Sequence, residues 1–181
     1  LIAFDLKTFN AVGTAPVGVD ADALAYDPAT KRVFVMNADG NSVSAVDAAT
    51  MQTLKTVPLA GAPEMAVTDG KGKLFINIAS TNEIVAFDTG KLAIAARWPV
   101  PMCRSPHGLA MDAQAEILFA SCENEKMIAV DAASGKVIGE YPIGMGTDSA
   151  AFDPVRKLAF SSNGDGTLSV IGEKGAQDIA T

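Results

Sequence analysis

Four aspartates recur at a nearly constant step: Asp27, Asp69, Asp112 and Asp153 lie 42, 43 and 41 residues apart, and each closes a short apolar run (ALAYD, MAVTD, GLAMD, AAFD). A second series, Asp5, Asp47, Asp88 and Asp131, closes IAFD, SAVD, VAFD and IAVD between them and continues in register at SVIG, where Gly172 holds the Asp place. A period of this length with several short strands inside it marks a β-propeller blade, a sheet that cannot bury its faces without its neighbours.

One period reads as four strands. DALAYD (22–27) is followed by an Asp-Pro turn, RVFVMN (32–37) by the Asp-Gly hairpin ADGN, and SVSAVD (42–47) leads to a fourth strand near TLKTVP (53–58). The same series recurs as EMAVTD, KLFINI, EIVAFD, IAARWP and onwards to TLSVIG, in runs too short for helices and bounded by Gly, Pro, Asn and Asp. The first strand of each unit is slim (Ala23, Ala25, Ala66, Gly108, Ala110, Ala150, Ala151), as strands nearest a propeller axis must be. The second carries one large ring per unit (Phe34, Phe75, Phe119, Phe160), suited to the wider gap between sheets. A β-sandwich has no reason to repeat with this fidelity.

The expected fold is therefore all-β: a β-propeller of four-stranded antiparallel blades. About four and a half blades are present, divided as a half blade at 1–18 and blades at 19–63, 64–106, 107–148 and 149–181. The chain opens at Leu1 on a third-strand motif and ends on a fourth, which leaves open sheet edges. The expectation is a piece of a seven-bladed ring, which needs roughly 300 residues.

Composition excludes some partners. A net charge of −7, with basic residues scattered singly or in pairs such as Lys31-Arg32 and Arg156-Lys157, argues against a nucleic-acid backbone as partner. No apolar run approaches the ~20 residues of a membrane-spanning helix.

At RVFVMNADGNSVSAVDAAT (32–50) the chain resembles the YVTN-repeat β-propellers, in particular the YncE-like family. Phe34-Val35-Met36-Asn37 matches that family's aromatic-Val-Thr-Asn strand, Ser42-Val43-Ser44-Ala45-Val46-Asp47 its next strand, and Ala133-Ser134-Gly135-Lys136-Val137 the start of the one after. The second and third units depart from it with Phe75-Ile76-Asn77-Ile78 and Phe119-Ala120-Ser121-Cys122. The resemblance implies export with a signal peptide to the periplasm or outside the cell. It does not imply one function: relatives with this repeat include periplasmic proteins without assigned chemistry, surface-layer proteins, lactonase-like enzymes and haem-binding domains.

Five residues before each closing Asp of the first strands stand Asp22, Glu64, His107 and Asp148, the first residue of each innermost strand and hence a ring around one mouth of the central channel. Three carboxylates and an imidazole suit a divalent cation or a cationic ligand, or an acid/base pair, with Asp20 and Arg104 in the adjoining loops. The plain alternative is that a water-filled mouth simply takes polar residues. Cys103, in the loop before the third unit, and Cys122, at the end of its second strand, fall on the same face. They read either as a disulfide, which fits an oxidising compartment, or as two buried thiols.

The closing Asp residues read as turn caps, not catalysts. Asn37, Asp39, Asn41, Asn77, Asn82, Asn124 and Asn163 read as formers of the second turns, with a polar binding rim as the alternative. Thr89-Gly90-Lys91 and Ser134-Gly135-Lys136 lack the earlier Gly of a phosphate loop, and one histidine rules out a bis-His haem within these residues. No catalytic residue is named. The expected function is a binding or interaction scaffold that presents the channel mouth to a small molecule or protein, with the remaining blades of the ring as structural partners. The alternative is a lactonase-type metal-dependent hydrolase holding a cation on Asp22, Glu64, His107 and Asp148.

Overall fold

The computed structural model describes residues 1–172 and, as backbone, Gln177–Ala180. Strands β1 (Ile2–Phe4) and β2 (Ala11–Thr14) form a two-stranded half blade. Four antiparallel meanders follow. Blade 1 is β3 (Ala21–Asp27), β4 (Arg32–Asn37), β5 (Ser42–Asp47) and β6 (Thr53–Pro58); blade 2 is β7 (Pro63–Thr68), β8 (Lys73–Ile78), β9 (Glu83–Asp88) and β10 (Ala93–Pro99). Blade 3 is β11 (Pro106–Asp112), β12 (Ile117–Cys122), β13 (Lys126–Asp131) and β14 (Val137–Pro142); blade 4 is β15 (Thr147–Asp153), β16 (Leu158–Asn163), β17 (Leu168–Gly172) and β18 (Gln177–Ala180). The first strands succeed one another in space, β3 beside β7, β7 beside β11 and β11 beside β15, so the sheets fan about one axis as the repeat requires.

One turn design recurs after most of the closing Asp residues; the turn after Asp69 differs, with left-handed Gly70 and Gly72 and bonds from Lys71 and Lys73 N–H. Asp47 accepts from the N–H groups of Ala49 and Thr50, Asp88 from Gly90 and Lys91, Asp112 from Gln114 and Ala115, and Asp153 from Val155 and Arg156. Four residues after the closing Asp the chain turns left-handed, at Phe9, Lys31, Met51, Leu92, Glu116 and Lys157. Only one of these turns uses glycine at that place, Gly135, at φ 75°. The Asp carboxylate compensates a backbone conformation that L-residues otherwise avoid.

Packing follows the sequence pattern. Phe34 lies in the core between blades 1 and 2, Phe75 in that between 2 and 3, and Phe119 in that between 3 and 4, each about 1% exposed or less. Leu109 and Met111 of β11 turn back into the core against blade 2. Their equivalents in β3, Leu24 and Tyr26, are 61% and 50% exposed.

The loops entering the blades are pinned from beneath, and here the structure corrects the turn-former reading for Asn37, Asn77 and Asn163, while Asn41 and Asn82 do turn left-handed, at φ 45° and 53°. Asn37 and Asn77 are fully buried and Asn163 nearly so. Asn37 Nδ2 donates to the hydroxyls of Ser42 and Ser44, and Ser44 Oγ accepts from the N–H of Gly18 in the entry loop. Asn163 repeats this with Thr167 and Ser169, whose hydroxyl accepts from Gly144 N–H. In both blades the glycine sits against the asparagine so closely that a Cβ would fall 2.6 Å from Asn37 Cγ or 2.8 Å from Asn163 Nδ2. Blade 3 puts Cys103 in the Gly place and Cys122 in the Asn place, and the two form a disulfide. A covalent bond thus replaces a polar knot.

Candidate functional site

Asp22, Glu64, His107 and Asp148 share a backbone feature that the sequence did not reveal. The pairing of β3 with β4 slips between Ala21 and Ala23, of β7 with β8 between Pro63 and Ala66, of β11 with β12 between Pro106 and Leu109, and of β15 with β16 between Thr147 and Ser149. Asp22, Glu64, His107 and Asp148 each lie within one of these slips. A bulge frees a residue from the ladder and re-aims its side chain. By this device the first strand of each blade frees one polar residue from its ladder.

Two of the four touch. His107 Nδ1 lies 3.5 Å from Glu64 Oε2 across the gap between blades 2 and 3. The other ring nitrogen faces two groups of its own blade, Glu123 Oε1 at 3.3 Å and Ser105 Oγ at 3.3 Å. Glu64 and His107 are about three-quarters buried, with side-chain exposures of 24% and 23%. Partial burial pushes the Glu64 carboxyl above the usual carboxylate range; the neighbouring His107 opposes this, and the carboxylates of Asp22 and Asp148, from blades 1 and 4, reinforce it. His107, Asp22 and Asp148 thus all act on Glu64, while Asp22 and Asp148 themselves are exposed. Arg104 stands at the rim with an exposed side chain; its backbone N–H donates to Asn124 Oδ1.

The bulge that aims His107 is held from outside its own blade. Asn77 Nδ2 donates to the carbonyls of His107, at 3.1 Å, and Gly108, at 2.9 Å, two groups the slipped ladder leaves free. On the other side Gly108 is hemmed in: a Cβ there would stand 2.5 Å from Ser121 Oγ and from the backbone of Ser149 and Ala150. Glu123 and Ser105 escaped the sequence reading, which took Asn77 for a turn former. A signal for the first two existed. Once Cys103 and Cys122 are joined, the residues just beyond them, 105 and 123, must be close.

Among the described residues, no three His, Cys, Asp or Glu side chains come together as a set able to hold a metal ion. Glu64 and His107 engage each other, and Asp22 and Asp148 act on Glu64 through space. Among the described residues, no helix is long and apolar enough to cross a membrane.

No protein-family model matches the chain, and no curated protein matches it. Solved structures do. Hydrazine synthase of Kuenenia stuttgartiensis superposes with a TM-score of 0.79 at 15% identity, over 98% of this chain and 53% of the other. A streptogramin B lyase superposes with a TM-score of 0.76 at 12% identity, over 90% of this chain and 55% of the other. This chain is a β-propeller. It spans about half the length of both structures, and at such identity the likeness carries the fold without the chemistry.

Proposed function

We propose that this is an exported propeller of the YVTN-repeat, YncE-like kind, and that it works as a binding scaffold through the mouth lined by Asp22, Glu64, His107 and Asp148, with Arg104 at the rim. One observation carries this reading: four successive blades bulge at the same register position, each freeing a polar residue. Loops and strand ends held by a rigid sheet are where binding residues concentrate. The Cys103–Cys122 disulfide supports a periplasmic or extracellular location, because such bonds persist in oxidising compartments. Exposed Leu24 and Tyr26, at positions that neighbouring blades cover elsewhere, support further blades of the same ring as partners.

A scaffold needs no ligand set for a metal, so this reading is preferred to the metal-dependent hydrolase. The test uses the chain's single histidine as a reporter. Ring resonances of His107 are followed while fixed probes are added: ethylammonium, acetate, phosphate, glucose, a dipeptide and Ca²⁺. Binding at the mouth moves these resonances with at least one probe, and Glu64→Ala abolishes the change. A protein whose His107 signals respond to none of the six does not bind small polar ligands there.

A further inference from the structure

Blade 3 differs from its neighbours in two ways at once. It supplies the chain's one histidine, and among the described blades it alone ties its entry loop to its second strand with a disulfide. Blades 1 and 4 achieve the same tie with glycine, asparagine and serine, so the covalent bond is not needed to seat such a loop. Its location relative to His107 suggests what it adds. Pro106 pairs with Cys122 as the last rung before the bulge, and His107 and Gly108 are then out of register. The β-ladder is therefore interrupted at His107 and Gly108 and resumes at Leu109, opposite Ala120. Beyond that rung the flanks of the imidazole come from Ser105, two residues after Cys103, and Glu123, one residue after Cys122. The N–H of Glu123 donates to the carbonyls of Arg104 and Ser105, which closes a small ring with the disulfide. Ser105 is itself left-handed at φ 47°, and its N–H is held by Asn82 Oδ1.

We infer that the Cys103–Cys122 disulfide is a positioning element of the mouth: it keeps Ser105 and Glu123 clamped on the Nε2 side of His107, while Glu64 holds the Nδ1 side. Both sulfurs are fully buried, so the bond is a fixed brace, not an exposed exchange site. The inference rests on the mouth being the working face. Its test needs no ligand, however, so it stands or falls separately from the probe experiment.

The test measures coupling between Glu123 and His107. In the native protein Glu123→Gln moves the His107 ring resonances. In the cross-link-free Cys103→Ala/Cys122→Ala protein, with far-UV circular dichroism unchanged, the same substitution leaves them in place, and the cross-peaks between His107 and the Ser105 and Glu123 side chains disappear. An equal response to Glu123→Gln in both backgrounds overturns the inference, because Asn124 and the backbone would then suffice. Should the alanine pair fail to fold, hydrogen exchange decides. The Glu123 N–H of the native protein exchanges about tenfold or more faster after incubation with a dithiol reductant, while amides in the middle of β12 do not change. Unchanged Glu123 exchange in protein shown by mass to be reduced overturns it as well.

Discussion

Thr89 donates its hydroxyl to the Asp27 carboxylate over 2.7 Å, across 62 residues and from one blade to the next, and both side chains are fully buried. Asp27 also accepts from Thr30 Oγ1 at 2.7 Å and from Ala29 N–H at 3.3 Å. Burial alone would push this carboxyl up. The hydrogen bonds from Thr89, Thr30 and the turn backbone outweigh it and hold Asp27 below its ordinary value. A residue that reads in the sequence as a turn cap is thus also a tie between blades. Its counterpart on the far side is Asp112, which takes Lys157 of blade 4 at 2.7 Å.

Thr89→Ala should cost about 1–3 kcal/mol, because it leaves a buried carboxylate short of a donor. Asp27→Ala should cost at least as much. In a double-mutant cycle the pair should couple by about 0.5–3 kcal/mol, read from urea unfolding, since each substitution removes the same contact. Simple additivity would show that the two side chains do not depend on each other in solution.

Gly108→Ala should be among the most damaging single-methyl additions in the chain. The new Cβ would stand 2.5 Å from backbone atoms of Ser149 and Ala150, so β11 and β15 would have to part, at a cost of about 1–3 kcal/mol or more. Gly90→Ala is the control: its Cβ meets nothing closer than 3.4 Å, and φ there needs no glycine. Thermal unfolding of the two variants should separate them clearly, and a Gly108→Ala protein as stable as Gly90→Ala would refute the close approach of the innermost strands.

The turn caps and the mouth set opposite dependences on pH. Asp5, Asp47 and Asp153 are held below the usual carboxylate value, first by backbone N–H groups of their own turns (Thr8, Thr50 and Arg156) and then by side chains of the same residues. Their contribution is present above the unfolded value of about 3.9 and is lost as pH falls through the folded values, so stability should decline below about pH 4. Glu64 is raised, chiefly by burial, so the fold favours its protonated form. Its contribution is complete below the unfolded value of about 4.3 and is lost as pH rises through the folded value. Glu64→Gln should therefore raise the urea midpoint at pH 7, and the gain should vanish by about pH 4. A lower midpoint at pH 7 would mean that attraction to His107 outweighs the burial of the charge.

Much of the architecture was legible because the period-2 pattern and the closing Asp repeat together, and each is a local signal. The taper of small residues toward the axis and the inter-blade seats of Phe34, Phe75 and Phe119 were readable for the same reason. What stayed hidden depends on contacts between units. Asn77 looks like Asn37 in a strand-end list, yet it stands one register place earlier and bonds the bulge of the next blade, where Asn37 bonds serines of its own. The bulges left no mark either, since a slip in pairing alters no residue. Glu123 sits in a turn of mixed polar residues, and the pairing of Pro106 with Cys122 and the adjoining disulfide set it beside His107.

The register identity of the two loop ties permits a stricter test than removal of the disulfide. Cys103 and Cys122 occupy the places of Gly18 and Asn37 in blade 1 and of Gly144 and Asn163 in blade 4. In those blades the asparagine Nδ2 donates to a serine three residues before the end of the third strand, Ser44 or Ser169, and blade 3 has Ile128 there, fully buried. Cys103→Gly/Cys122→Asn should therefore be poor on its own. It loses the roughly 3 kcal/mol expected of a cross-link closing a loop of this size and buries an amide without its hydroxyl partner, a further cost of about 1–3 kcal/mol. Adding Ile128→Ser supplies the hydroxyl but removes a buried side chain from the core between blades 2 and 3, worth about 2–4 kcal/mol. The triple variant should thus recover the spectroscopic signature of the loop, seen as slowed exchange of the residue-103 N–H, without recovering the native melting temperature. If the double variant already matches the native protein in reducing buffer, the asparagine in blades 1 and 4 does not need its serine, and the polar knot is ornamental to the fold.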